Sequence, residues 1–275
     1  MKISNKIMKI IYAISAIFIL LMIFIWTNYR LLFSEEMEIE ARLFQTILLV
    51  ISAGLGAIFL LYLGFLYKIS TLIGKVWLLL GVGMAAWAIA EAIYTYLEEF
   101  TSIPPFPSVA DVFYIGAYLP LIAGLIIQMI ILQIKLPIRD KVIIAIIYTA
   151  ICVFILVSVV VLPIQAVYPI PEEEIFDYAL GASYPILDLI LILSILVVFA
   201  KLRHGKINLA WILLLVGFFV ITVADIAFNW VEAFKVEEVL FEFYDLLFLM
   251  GYVIILIGAI SILSLTTKTF ETTSS

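Results

Sequence analysis

The sequence predicts an all-α, multi-pass membrane protein with eight transmembrane helices, built as two tandem four-helix repeats. The first observation is composition: 66% of the 275 residues are hydrophobic and 13% are charged, outside the range of soluble globular domains. The second is that apolar windows of membrane-spanning length recur along the chain, with basic residues between alternate windows. The third is that two segments of the first half recur in the second half at one constant separation.

Each predicted span is an apolar window long enough to cross about 30 Å of hydrocarbon at about 1.5 Å per residue. The eight windows lie near 10–28, 43–67, 76–97, 109–133, 142–163, 178–200, 208–231 and 243–265. The first window has the basic start and apolar run of a signal peptide, but bulky residues follow it where a cleavage site needs small ones. We therefore expect this span to be retained.

The basic residues fall on one side of these spans. Of the 15 Lys and Arg residues, 12 lie in the terminal segments or in the loops after the second, fourth and sixth spans. Acidic segments such as "SEEMEIE" and "PEEE" occupy other loops. The positive-inside rule therefore predicts a cell-membrane protein with its N-terminus and C-terminus in the cytoplasm. The net charge of −6 then reflects membrane orientation, and nothing indicates nucleic-acid binding.

Two pairs of segments indicate an internal duplication. "AEAIYTYLE" at 90–98 resembles "ADIAFNWVE" at 224–232, and "DVFYIGAYLPLIAG" at 111–124 resembles "DLLFLMGYVIILIG" at 245–258. Both pairs have the same separation, without a gap, and we call this separation, from Glu91 to Asp225, the repeat offset. The shared acids carry more weight than the shared apolar residues, because apolar helices match one another easily by chance.

The first and fifth spans also correspond, at a separation slightly longer than the repeat offset. We therefore predict a first four-helix repeat at 1–134, a second at 135–268 and a short cytoplasmic tail at 269–275. Because each repeat has an even number of spans, both repeats have the same orientation, as in transporters with parallel repeats.

Acidic residues within the predicted spans are the main candidates for function. An isolated charge in lipid costs several kcal/mol or more, and no span contains a Lys, Arg or His to pair with an acid. In the predicted orientation these acids belong to the outer half of the membrane, so we expect a cluster open to the outside. The five acids are Glu91, Asp111, Asp188, Asp225 and Asp245.

Polar and aromatic residues accompany several acids at helical spacing. Tyr94 and Tyr114 each follow an acid by three residues, Asn229 follows one by four, and Tyr184 precedes one by four, so each pair shares a helix face. A tyrosine hydroxyl donates readily to a carboxylate. The candidate ligand-binding residues are Glu91, Tyr94, Asp111, Tyr114, Tyr118, Tyr184, Asp188, Asp225, Asn229, Asp245 and Tyr252.

A structural role for these acids is the alternative. "SVAD" has the S-x-x-D pattern of a capping box, in which Ser108 caps a helix and Asp111 bonds back to the Ser108 amide. Capping does not explain Glu91 and Asp225, which lie near helix C-termini, where the dipole disfavours negative charge. Glu91 also continues a face of small residues from Gly81, which predicts a helix contact. Structural hydrogen bonding and a ligand, proton or cation site both stay open.

The residue types restrict the ligand and the chemistry. No cofactor is predicted, since Cys152 and His204 are the only cysteine and histidine, and metal sites built on thiolates or imidazoles need more. Carboxylates favour hard cations such as Ca²⁺, Mg²⁺ or Na⁺, while a basic organic ligand fits an acidic, aromatic pocket equally well. No Ser-x-x-Lys, H-E-x-x-H or nucleotide-binding pattern occurs, so we expect no enzyme of those classes.

At "PFPSVADVFYIGAYLPLIAGL", "ASYPILDLILIL" and "DLLFLMGYVIILIGA" the chain resembles an uncharacterised multi-helix membrane module found ahead of bacterial diguanylate cyclase or histidine kinase domains. The resemblance covers the third to eighth spans. It implies a sensory role, with Asp111, Asp188, Asp225 and Asp245 as sensing residues. The 275 residues contain no such output domain, so a sensory role is expected to require a cytoplasmic signalling partner at the basic loops.

Three functions are therefore considered. The leading one is an integral membrane sensory or ligand-binding protein in the lipid bilayer, with an acidic and aromatic site facing outward. The alternative is a secondary transporter coupled to protons or sodium, as the duplication with buried acids suggests. The third is a membrane-embedded enzyme acting on lipid, for which the sequence contains no motif.

Overall fold

The computed structural model describes residues 35–161, 175–202, 208–234 and 241–273, with single positions elsewhere. Within these residues the fold is all-α, with seven α-helices that we number in chain order. The helices are α1 Glu35–Leu66, α2 Leu72–Phe100, α3 Val109–Ile131, α4 Ile138–Ile155, α5 Ile175–Leu202, α6 Asn208–Phe234 and α7 Phe241–Thr273. A π-helix, Leu156–Val161, continues α4.

Six of the described helices are long and apolar enough to cross a membrane, as expected of a multi-pass membrane protein. They coincide with the second, third, fourth, sixth, seventh and eighth predicted spans. The apolar segments are Leu43–Leu66, Leu72–Phe100, Val109–Ile131, Ile175–Leu202, Leu209–Val231 and Phe243–Leu265.

The other two predicted spans have different outcomes. The span at 142–163 coincides with α4 and its π-helix as far as Val161, beyond which it lies outside the described residues. The first span, 10–28, lies outside the described residues except for a few positions, which are helical. Eight helices, the tandem repeat and the cytoplasmic termini therefore stay predictions.

Two helices are longer than predicted. The acidic segment "SEEMEIE", expected to be a loop, is helical from Glu35 onward and joins the apolar part of α1 at Leu43. Glu, Met and Ala are good helix formers, so this segment extends the helix. At the other end of the chain, α7 continues beyond Leu265 to Thr273, into the segment expected to be a tail.

Six helices form a closed ring. Each contacts its two neighbours in the order α1, α2, α3, α5, α6, α7, and α7 returns to α1. Outside this ring, α4 packs against α5, and the π-helix contacts both α5 and α6. Large apolar side chains such as Phe65 and Leu119 are exposed on the ring helices, as expected for surfaces that contact lipid.

The turn between α1 and α2 brings these helices close together. Lys68 adopts a left-handed φ of 64°, and the Thr71 side chain caps α2 by accepting from the Gly74 amide at 3.0 Å. A Cβ at Gly74 would collide with the Lys68 carbonyl, so this turn requires a glycine there. Further along, a Cβ at Gly81 would lie 2.7 Å from the Leu61 amide, which confirms the helix contact expected for this small residue.

Residues that are one repeat offset apart occupy corresponding places in α2 and α6. Trp77 of α2 and Trp211 of α6 contact each other across the ring, with ring centroids 4.7 Å apart. The helices of the two halves also have corresponding neighbours in the ring. For example, α1 contacts α2 and α7, and α5 contacts α6 and α3.

The middle of the ring is filled with apolar side chains. Leu80 and Met84 of α2 and Leu214 and Phe218 of α6 are each at most 1% exposed. They lie between the tryptophan pair and the polar residues further along the same helices. The ring is therefore closely packed towards the end that carries the basic loops, which we call the basic end.

Candidate functional site

The acidic and aromatic residues gather at the opposite end of the ring, which we call the cavity end. Here α2 and α6 finish and α1, α3, α5 and α7 begin. The cavity has a volume of about 50 Å³, counted as the space that the centre of a water molecule can occupy. All six ring helices line it. Its lining residues are Thr46, Leu49, Glu91, Tyr94, Thr95, Glu98, Phe106, Asp111, Tyr114, Tyr184, Asp225, Phe228, Tyr244, Asp245 and Phe248.

A wider depression lies next to this cavity. It has a volume of about 430 Å³ and is formed by the end of α2 and the loop Thr101–Phe106. It shares Tyr94, Glu98 and Phe106 with the cavity, so these three side chains separate the two spaces. A ligand reaching the cavity by this route would pass the Glu98 carboxylate.

Asp111 has both a structural role and a place in the cavity. Its Oδ2 accepts from the Ser108 amide at 2.6 Å, and Ser108 caps α3, so the predicted capping box is confirmed. Its Oδ1 accepts from the Tyr184 hydroxyl at 2.5 Å, which joins α3 to α5. Capping therefore explains why an acid stands at this helix start, but it accounts for only one of the two carboxylate oxygens.

Tyr118 lies deeper in the ring, two turns beyond Asp111, and meets two acids. Its hydroxyl is 2.7 Å from Oδ1 of Asp188 and 3.1 Å from Oδ2 of Asp225. Asp188 is completely buried, and Tyr118 nearly so. These contacts join α3 to α5 and α6 in the centre of the ring, and Asp225 also lines the cavity.

Tyr252 makes the corresponding contact in the other half. Its hydroxyl donates to Oε1 of Glu91 at 2.6 Å. Tyr252 lies one repeat offset after Tyr118, just as Asp225 lies one repeat offset after Glu91. Each half therefore supplies a tyrosine to the acid of the other half, and Trp87 packs against both tyrosine rings, with centroids 5.8 and 6.4 Å away.

The remaining predicted residues lie around these contacts. Tyr94, Tyr114 and Asp245 line the cavity, and the Tyr114 carbonyl accepts from the Trp87 indole nitrogen at 3.3 Å. Asn229 is buried, and its side-chain nitrogen donates to the Asp225 carbonyl at 2.8 Å within α6. All the predicted site residues thus lie at the cavity end or directly beneath it.

The sequence predicts these residues as candidates but does not predict how they pair. Helical spacing indicated partners on one helix, whereas Tyr118, Tyr184 and Tyr252 each donate to an acid of a different helix. Spacing along one helix carries no information about which helix faces it. The constant repeat offset was the signal that pointed to the corresponding tyrosines.

The sequence analysis missed part of the cavity. Glu98 lies just beyond the predicted third span, 76–97, but it belongs to α2 and lines the cavity. An aromatic wall was also missed, in which Phe228 packs edge-on against Phe106 and Tyr244, at 5.9 and 5.2 Å between centroids. The acid could have been found from its spacing, since Glu98 lies two helical turns beyond Glu91.

The cavity is strongly acidic. Five carboxyl groups line it, together with seven aromatic rings, and none of the lining residues is basic. Among the described residues, no group of three or more His, Cys, Asp or Glu side chains is arranged to hold a metal ion. The acids are distributed around aromatic walls, an arrangement that can attract a cation and contact its apolar parts.

Comparisons with known proteins give no further indication. The chain matches no protein-family model, no curated protein and no solved structure.

Proposed function

We propose that the protein is a membrane receptor that binds a small organic cation, of the primary amine or ammonium class, in the cavity at the end of the helix ring. The observation that carries this proposal is the lining, with five carboxyl groups, seven aromatic rings and no basic side chain. Carboxylates attract the cationic group, and aromatic faces favour ammonium groups by cation–π interaction. A hard metal ion would need several carboxylates converging on one point, which favours the organic cation.

The size of the cavity limits the ligand. Since one water needs about 10–15 Å³ measured in this way, the 50 Å³ holds roughly three to five waters. Ammonium, methylammonium and other small amines fit this space, and a larger amine would extend past Glu98 into the neighbouring depression.

A receptor role is supported by the contribution of every ring helix to the lining. A ligand that contacts all six helices can shift their relative positions if it binds one arrangement better than another. In the proposed orientation the cavity end faces outward and the basic end, with Lys68, Lys75 and Lys135, contacts a cytoplasmic signalling partner.

Thermal unfolding of the detergent-purified protein tests the binding proposal. Methylammonium, tetramethylammonium, guanidinium, Na⁺ and Ca²⁺ are added at constant ionic strength. We expect a small amine to raise Tm by binding the folded state, and Asp245→Asn to reduce that rise. Asp140→Asn is the matched control, because Asp140 is a buried acid at the basic end, beside Arg139.

Two results would contradict this proposal. One is the absence of any amine-dependent rise in Tm in the folded wild-type protein. The other is a response to Ca²⁺ alone, which would assign the carboxylates to a metal ion.

Secondary transport is the second candidate. It is favoured by the contacts in which a tyrosine of each half, Tyr118 or Tyr252, meets an acid of the other half. Halves that meet at a binding site can rock against each other in alternating access. Uptake of labelled methylammonium into sealed proteoliposomes, abolished by Asp225→Asn, would identify a transporter. Binding of methylammonium without uptake would support the receptor role over transport.

A further inference from the structure

A second polar layer lies beneath the cavity, formed by Tyr118, Asp188 and Asp225. Asp188 is fully buried, Tyr118 is 1% exposed and Asp225 is 9% exposed. The Tyr118 hydroxyl lies 2.7 Å from one carboxyl group and 3.1 Å from the other, so a single phenol oxygen stands between two acids. This layer differs from the cavity above it, because only Asp225 belongs to both.

The number of hydrogens in this group decides its charge. A phenol has one hydrogen and can donate to only one carboxylate at a time. If both acids were ionised, one of the two contacts would join two oxygens with no well-aligned hydrogen between them. The layer would also hold two negative charges inside the membrane, where each is costly without a cation.

An unpaired oxygen of Asp188 also argues against two ionised acids. Its Oδ2 is buried and has no hydrogen-bond partner within the described part of the chain. A buried ionised carboxylate normally accepts at both oxygens, and leaving one without a donor costs free energy. An un-ionised carboxyl group tolerates an unpaired carbonyl oxygen at lower cost than a carboxylate does, so this oxygen favours a proton on Asp188, at Oδ1.

We propose that Asp188 and Asp225 share one proton, in addition to the hydrogen of Tyr118, so that these three residues form a proton-binding site beneath the cavity. In one arrangement Asp225 carries the proton and donates to the phenol oxygen, while the phenol donates to Asp188. In the reverse arrangement Asp188 is the acid and Asp225 accepts. The group then carries one negative charge. A hydrogen lies between the oxygens of each contact, Tyr118 with Asp188 and Tyr118 with Asp225.

This site connects the cavity to the protein interior. A cation in the cavity stabilises ionised Asp225, which lines it, and so favours loss of the shared proton. Binding is then accompanied by proton release, and lower pH weakens binding. The shared proton itself needs no ligand; only its release on binding rests on the proposed function.

Other titratable groups surround the layer. They come from α2, α3, α5 and α7, and none of them is basic. Those on the cavity lining or in the tyrosine contacts are Glu91, Tyr94, Glu98, Asp111, Tyr114, Tyr184, Tyr244, Asp245 and Tyr252. The helix α1 contributes Thr46 and Leu49, which do not titrate.

Infrared spectroscopy of the ligand-free protein at neutral pH tests the shared proton. A protonated carboxyl group gives a C=O stretch that an ionised one lacks. We expect Asp188→Asn and Asp225→Asn each to remove the same band, equivalent to one carboxyl group, because either substitution leaves one ionised acid bonded to Tyr118. The double variant should remove no more than either single variant. Asp140→Asn, outside the ring, should leave this band unchanged.

The alternatives give different spectra. If each acid is protonated by itself, the single variants remove different bands and the double variant removes both, which overturns sharing. If the two acids hold a cation, no single variant removes a protonated carboxyl band, and the proposal is wrong. Should the Asn variants fail to fold, Tyr118→Phe retains both acids and must shift the band, because the phenol no longer bonds to the proton-bearing group; an unshifted band overturns the proposal.

Discussion

The two halves of the ring, α1–α3 and α5–α7, make corresponding tyrosine contacts and differ in the acids that these tyrosines meet. Tyr118 and Tyr252 each donate to an acid of the opposite half, and Trp77 meets its counterpart Trp211. Only Tyr118, however, also contacts a second acid, Asp188 of α5. The corresponding tyrosines thus make one matching contact each, and they differ at the buried acid Asp188.

The corresponding position in the first half explains why this second acid has no counterpart. Asp188 lies one repeat offset after Gly54 of α1, and a Cβ at Gly54 would meet no atom within 4 Å. Glycine brings no side chain to Tyr252, which therefore has a single acid as its partner. The polar layer beneath the cavity is therefore built around a residue that the corresponding position of the first half lacks.

The largest expected effect comes from the closest helix contact of the second half. A Cβ at Gly217 would lie 2.8 Å from the Gly251 carbonyl and 2.9 Å from the Ile255 amide, so α6 and α7 must move apart. We expect Gly217→Ala to destabilise the protein by about 2–3 kcal/mol, as overpacking does. Thermal unfolding in detergent measures this.

Gly83 is the matched position in the first half, and it should tolerate alanine better. A Cβ there would overlap mainly the Leu121 side chain, with the Ala117 carbonyl at 3.1 Å, whereas at Gly217 two backbone atoms lie under 3.0 Å. The expected loss for Gly83→Ala is about 1 kcal/mol. Gly116→Ala is the control, because no atom lies within 4 Å and alanine favours the helix. Equal losses at Gly83 and Gly217 would show that the halves pack alike at this contact.

Much of this packing could be predicted from the sequence, and the differences could not. Hydropathy and length predict six of the described helices, and the match of 111–124 with 245–258 aligns Tyr118 with Tyr252. Which helix Asp188 faces depends on the order of helices in the ring, and that order is a property of tertiary packing. The aromatic wall at Phe228 could not be predicted either, because its rings come from different helices and the loop before α3.

The tyrosine pair gives the next effect in size. Tyr118→Phe removes the hydroxyl that contacts both Asp188 and Asp225, whereas Tyr252→Phe removes a hydroxyl that contacts only one acid, Glu91. Leaving a buried polar group without its partner costs about 1–3 kcal/mol. We therefore expect Tyr118→Phe to cost about 2 kcal/mol and Tyr252→Phe about 1 kcal/mol. Equal Tm losses in the two variants would count against any special role of Asp188.

The smallest effect concerns the contact between Trp77 and Trp211. Both substitutions, Trp77→Phe and Trp211→Phe, weaken the same stacking contact, worth about 0.5–1.5 kcal/mol. The Trp77 indole nitrogen, however, is buried and without a hydrogen-bond partner within the described residues, so replacing it removes an unsatisfied donor. We expect Trp77→Phe to cost about 1 kcal/mol less than Trp211→Phe, measured by thermal unfolding. The reverse order would mean that the Trp77 indole nitrogen has a hydrogen-bond partner. The two tryptophans would then not differ in the way that the structure indicates.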